Sequence, residues 1–115
     1  MKSGRDATRK FSCPYLNAEV ELTPERERHI SERHPDLLPD YETALVETLF
    51  EPDAVRQSPR AMGARMFSRW YNEIRGGKHV VAVVMSGAGT PGRNWIMTAY
   101  LARRLAEGVM EWKKD

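Results

Sequence analysis

Lys78–Ser86 is the stretch that most restricts the fold. Its centre, Val80-Val81-Ala82-Val83-Val84, is apolar at every position and β-branched at all but one. A strand that is apolar on both faces must be covered on both, which places it in the middle of a sheet. Gly76-Gly77 before it is a strong turn signal. After it, Ser86–Asn94 carries glycines at 87, 89 and 92 and reads as a flexible hairpin tip. That tip is not a phosphate-cradling loop, because the Gly-Lys-Ser/Thr ending is missing and a strand follows instead of a helix.

The neighbouring strands follow from alternation. Ala64–Tyr71 puts Met66, Ser68 and Trp70 on one face and Phe67, Arg69 and Tyr71 on the other. Asp53–Ser58 enters the sheet, and Pro59–Gly63 is the loop between these two segments. Trp95–Leu101 is a last strand. Simple alternation places Trp95, Met97, Ala99 and Leu101 on one face and Ile96, Thr98 and Tyr100 on the other, so two hydroxyls lie mid-strand. Upstream, Phe11–Leu16 is a short extended piece that Asn17-Ala18 turns back into Val20-Glu21-Leu22. Pro14 confines it to an edge or keeps it out of the sheet.

Two helices lie between. Thr23-Pro24-Glu25 is a helix start, with Thr as N-cap, Pro at the first helical position and an acid where the dipole favours one. Pro35 closes that helix. Asp40 is the expected cap of a second, in which Tyr41, Ala44, Leu45, Thr48 and Leu49 form a core-facing stripe and which Pro52 ends. The order predicts an α+β fold: an N-terminal short strand and two helices packed on one face of an antiparallel sheet of about four strands. The expected organisation is a mobile leader over residues 1–10, one domain over 11–105 and a polar C-terminal tail over 106–115, with Trp112 as its anchor.

Composition narrows the function classes. A chain of 115 residues with 41% hydrophobic and 30% charged residues suits one globular domain. It has no apolar run of about 18 or more residues, so no membrane partner is expected. The basic N-terminus has no apolar stretch behind it and is read as no signal peptide. A single cysteine, Cys13, excludes an internal disulfide and suits a reducing cytoplasm. Three histidines and one cysteine make no zinc set, and His29 and His34, five apart, do not share a helix face; no metal and no cofactor is expected.

The net charge of +2 is unevenly spread. Met1–Val55 holds seven Lys/Arg against twelve Asp/Glu, and Arg56–Arg104 holds nine Lys/Arg, eight of them arginine, against Glu73 alone. Arginine grips phosphate in a fork and stacks on bases, so the asymmetry points towards nucleic acid. The plainer alternative is internal complementarity, with an acidic helical layer lying on a basic sheet.

The first helix ends in His29-Ile30-Ser31-Glu32-Arg33-His34-Pro35. The dipole at a helix C-terminus stabilises an imidazolium, so the pKa of His34 is expected to rise. His34 is a candidate general acid or base and Arg33 a candidate phosphate ligand. Basic residues in a last turn also cap free carbonyls without doing any chemistry.

This stretch, a helix ending at Pro52-Asp53, the Val80–Val84 strand and Trp95-Ile96-Met97-Thr98-Ala99-Tyr100 together resemble the barnase–EndoU–colicin–RelE-like nuclease family, from about Phe11 to Leu105. The resemblance implies two helices followed by an antiparallel sheet, and RNA cleavage without metal. By position it singles out Arg33, His34, Thr98 and Tyr100. The implied reaction is attack of the RNA 2′-hydroxyl on the adjacent phosphate by a ribonuclease; a toxin-like effector neutralised by an antitoxin or immunity protein is a compatible reading. His34 would be base or acid, with His29 or Tyr100 complementing it. Arg33, Arg69 and Lys78 would supply cations, Thr98 a hydrogen bond to phosphate, and Tyr71 or Trp70 a stacking surface. The alternative is a non-catalytic module that binds nucleic acid or an acidic protein through the basic sheet. The cleavage reading requires Arg33, His34, Thr98 and Tyr100 to converge in one open cleft.

Overall fold

The computed structural model of the chain describes residues 7–87 and 92–115. Its strands are β1 (Arg9–Cys13), β2 (Ala18–Leu22), β3 (Ala54–Gln57), β4 (Ala64–Tyr71), β5 (Lys78–Ser86), β6 (Asn94–Ala102) and β7 (Met110–Lys113), and its helices are α1 (Pro24–Arg33) and α2 (Glu42–Phe50). The strands form one mixed sheet in the order β1-β2-β6-β5-β4-β3-β7. The valine-rich β5 therefore occupies the centre. Neighbours are antiparallel except β2 and β6, which run parallel and pair only where Glu21 faces Trp95.

The expected α+β fold, with two helices over about four antiparallel strands, is overturned. Among the described residues more lie in strands than in helices, and the sheet has seven members and is mixed. Three segments account for the difference. Phe11–Leu16 and Val20–Leu22 form a hairpin around Asn17, whose left-handed backbone (φ 52°) reverses the chain, and this hairpin is the edge of the sheet. Arg9 and Lys10, placed in a mobile leader by the sequence, belong to β1; residues 1–6 lie outside the described residues. The expected polar tail supplies β7. Its Met110, Trp112 and Lys113 side chains are exposed, so it has no buried alternation to betray it. It is held by backbone bonds, from Gln57 N–H to Val109 C=O (2.8 Å) and from Lys114 N–H to Asp53 C=O (2.8 Å), and by Glu111, which accepts from Arg65 and Tyr15. The flexible hairpin tip predicted at Ser86–Asn94 falls partly on residues 88–91, outside the described residues.

The helix signals act as local chemistry requires. The Thr23 hydroxyl accepts the Arg26 N–H (3.1 Å), Pro24 occupies the first turn, and α1 stops at His34, the residue before Pro35. In α2 the cap position is Tyr41, not Asp40, and no side chain caps it. Ala44, Leu45, Thr48 and Leu49 are buried. With Ile30 they meet Phe67, Val80, Ala82, Val84, Ile96 and Ala99 in the main core. Arg9 ties β1 to both helices through Glu27 and Glu42.

The second face of the sheet has its own smaller cluster of Ala64, Met66, Val81 and Val83. Two features shape it. A register shift between Val83 and Val84 sets Thr98 opposite Val83 and Ile96 opposite Val84. This β-bulge breaks the simple alternation read for β6. Trp95, Thr98 and Tyr100 share the second face, whereas Ile96, Ala99 and Leu101 face the main core. The chain from Arg103 to Val109 then crosses the second face from β6 to β7. Leu105 packs on the small cluster, and Gly108 lies so close that a Cβ there would stand 2.2 Å from the Gln57 carbonyl oxygen and 3.2 Å from Met66 Cε.

Gly108→Ala is expected to lift this crossing segment and destabilise the fold by about 1–3 kcal/mol, the usual range for overpacking. A urea-unfolding midpoint equal to that of the wild type would show that the segment is not seated there.

Candidate functional site

β2 pairs with β6 only at Trp95, so the edge of β6 beyond that point is open to another element, and α1 takes it. Arg26 of α1 donates from Nη1 to the Met97 carbonyl at the bulge (3.4 Å). At the far end of the helix the His34 ring packs against the Tyr100 ring, with centroids 5.8 Å apart and planes tilted by 42°. A helix lying along a strand edge, not over a strand face, can deliver its last side chain to the second face of the sheet.

There His34, Thr98 and Tyr100 line a cavity of about 540 Å³. The sheet residues Met66, Val83 and Met97 add an apolar lining. Ala106 of the crossing segment and the β3–β4 loop, with Ser58, Pro59 and Arg60, complete the walls. Ser58 Oγ accepts the N–H groups of Arg60 and Ala61 (3.3 Å each), and Ala64 N–H bonds to Ala61 C=O (3.0 Å). These bonds fix the backbone that presents Arg60. A hydroxyl hydrogen-bonding nearby backbone N–H groups is how serine commonly stabilises a turn.

The electrostatics of the two rings run in opposite directions. Burial pushes the His34 imidazole below its usual pKa of 6.5, Asp36 opposes this, and His29 and Arg33 push it down further. The expected rise at the helix end is thus reversed. A helix C-terminus stabilises a cation by about 0.3–1 kcal/mol, less than one pKa unit, and loss of water outweighs it here. Burial raises the pKa of the Tyr100 phenol, and the nearby Arg60 guanidinium pulls it partly back. At neutral pH the site therefore presents a neutral imidazole and a protonated phenol. His79, also on the second face and 4.8 Å from the Trp70 ring, is lowered by burial as well.

The structure brings together three of the sequence candidates, His34, Thr98 and Tyr100. Arg33 is exposed and does not line the cavity, and half-buried His29 acts on His34 only through its charge. The candidate substrate-binding set lies on the opposite, main-core side of the sheet. There Tyr71 is buried, its hydroxyl directed at Ala44 C=O (3.1 Å) and Glu47 (3.0 Å). Arg69 lies over the Tyr71 ring and donates to Glu51 C=O (3.3 Å). Lys78 donates to Arg75 C=O (3.0 Å). The cation lining the cavity is Arg60, a loop residue outside the sequence candidates. Its one sequence signal is a basic residue directly after Pro59, between two strands. Part of the basic charge is paired within the fold: Arg65 bonds Glu111 of the C-terminal segment (2.8 Å), and Arg93 bonds Glu21 of the acidic half (2.9 Å).

Among the described residues, no three His, Cys, Asp or Glu side chains gather as a metal-ligating group, and no helix is long and apolar enough to cross a membrane. Compared with protein-family models, with curated proteins and with solved structures, the chain matches none.

The lowered pKa of His34 has a thermodynamic consequence. The unfolded chain binds the proton more readily, so stability falls as pH drops through 6.5, and the loss is complete below the folded-state pKa. Thermal midpoints recorded between about pH 7.5 and 5.5 should decline for the wild type and decline less for His34→Gln. Equal slopes in the two proteins would contradict a desolvated ring.

Proposed function

We propose that the chain is a metal-independent endoribonuclease whose reaction takes place in the cavity between the end of α1, β6 and the Ser58–Arg60 loop. One observation carries the reading. An imidazole and a phenol with oppositely shifted proton affinities sit 5.8 Å apart beside an arginine in one cavity. A pair of groups pushed apart in this way supplies a base and an acid at the same pH. Two of the four stretches that carry the family resemblance, His29–Pro35 and Trp95–Tyr100, also meet here.

In the proposed reaction the neutral His34 ring takes the proton of an RNA 2′-hydroxyl. The 2′-oxygen attacks the adjacent phosphorus as the bond from phosphorus to the 5′-oxygen breaks. Tyr100 gives its proton to that departing oxygen. Arg60 and the Thr98 hydroxyl hold the non-bridging oxygens, whose charge grows during the displacement. The products are a 2′,3′-cyclic phosphate and a free 5′-hydroxyl. RNA is then the partner, and a buried lone Cys13 suits a reducing, cytoplasmic setting. An acidic antitoxin or immunity protein would neutralise the chain by covering Arg60 at the cavity wall.

His34→Ala should lower cleavage of a mixed-sequence RNA by about 10²–10⁴-fold, the usual contribution of one acid–base group, with the urea midpoint retained. Tyr100→Phe should lower kcat in the same assay. The pH profile of kcat/KM should rise through a value below 6.5 and stay level past pH 9, because the imidazole must be neutral and the phenol protonated. Undiminished cutting by His34→Ala, or retention of RNA by the wild type with no cyclic-phosphate product, would overturn the reading.

A further inference from the structure

Ser58-Pro59-Arg60 is a partition. On one side lies the cavity of His34 and Tyr100. On the other lies a second cavity of about 560 Å³, walled by Gln57, Arg65 and Glu111, with Met62 and Gly63 among its lining residues. Both volumes fall in the range that takes a small ligand. Ser58, Pro59 and Arg60 line both, so a ligand leaving one cavity over Arg60 enters the other.

The second cavity presents a prepared cation. Arg65 donates from Nε to Glu111 Oε1 (2.8 Å), and the same oxygen accepts the Tyr15 hydroxyl (2.9 Å). This contact fixes the plane of the guanidinium but uses only Nε. Among the described residues the two Nη groups of Arg65 make no hydrogen bond, and the Arg60 side chain makes none. Two guanidiniums face one carboxylate, which leaves the cavity positive. A guanidinium locked at Nε with both Nη groups open is the fork that suits a phosphate oxygen pair. Met62 stands 96% exposed, an apolar side chain with no packing role that offers a surface to a base.

We infer that the cavity walled by Arg65, Gln57 and Glu111 is a second nucleotide subsite, so that the ligand is an unpaired RNA strand passing over Arg60. The inference rests on the ribonuclease reading for the identity of the strand. The two concave chambers exclude a duplex, because each must receive a base turned out of its stack. Arg65 binds the phosphate next to the one held by Arg60, and the neighbouring base lies against Met62.

The test separates binding from cleavage by using fluorescent 2′-O-methyl RNA, which cannot form the attacking 2′-oxygen. The wild-type chain should bind a mixed-sequence tetranucleotide about tenfold more tightly than a dinucleotide, as one added charge-assisted contact allows. A 2′-O-methyl duplex should bind no better than the dinucleotide. Arg65→Ala should bring the tetranucleotide-to-dinucleotide ratio close to one. Because Arg65 also ties β4 to β7 through Glu111, Met62→Glu serves as the second variant. It sets a carboxylate beside the same cavity from a side chain too exposed to affect folding, and should reduce the ratio as well. A ratio near one in the wild type, a ratio unchanged in both variants, or preference for the duplex would each overturn the subsite. Cleavage of ordinary RNA by the wild type, scored in parallel, reports on the His34 chemistry alone, so the two readings can fail separately.

Discussion

The site depends on how briefly β2 pairs with β6. One residue pair, Glu21 with Trp95, joins them, and the rest of the β6 edge is left to α1. Longer pairing of β2 with β6 would force α1 onto a face of the sheet, and its C-terminal side chains would end in the main core. Along the edge, the helix keeps Ile30 in that core while its last residue reaches the other side. The bulge at Met97 acts in the same place. It turns Thr98 and Tyr100 towards the second face and presents the carbonyl that Arg26 holds. One local irregularity in β6 thus orients two site hydroxyls and anchors the helix that carries the histidine.

Charge does two separate jobs in this fold. Part of the charge is consumed in pairs within the fold. Arg65 with Glu111 and Arg93 with Glu21 join segments distant in sequence, and Arg9 bridges to both helices. Pairs as exposed as Arg93 with Glu21 add little stability, so their main effect is on register. Arg60 is different. It has no acidic partner among the described residues, it lines both cavities, and it acts on Tyr100. A count of basic residues does not say which of them are available; those left without an acidic partner beside a cavity are the ones that can meet an anion.

What the sequence makes legible follows the strength of the local rule. The Val80–Val84 run permits only a central strand, and β5 is central. Thr23-Pro24 and Pro35 bound a helix through caps that act within a few residues, and they set α1. Alternation in Ala64–Tyr71 assigns both faces of β4 correctly. The failures arise where tertiary pairing decides. β7 is an exposed edge strand held by backbone bonds, so its side chains carry no pattern. The β6 bulge inserts one residue and inverts every face assignment before it. Of the residues that line the cavity, His34 is a candidate from its place at a helix end, and Thr98 and Tyr100 are candidates through the family resemblance. Arg60 is not, because a loop arginine acquires its role only when the Ser58 hydroxyl fixes the turn. The direction of the His34 shift is not legible, because a helix dipole is visible in sequence and burial is not.

His34, which caps the end of α1, lies half-buried against Tyr100 on the second face of the sheet. Proton NMR of the histidine rings tests it most directly. Nuclear Overhauser contacts between the His34 and Tyr100 ring protons are expected, with the His34 ring titrating below 6.5. Absence of those contacts, together with titration at or above the value of a free imidazole, would contradict it.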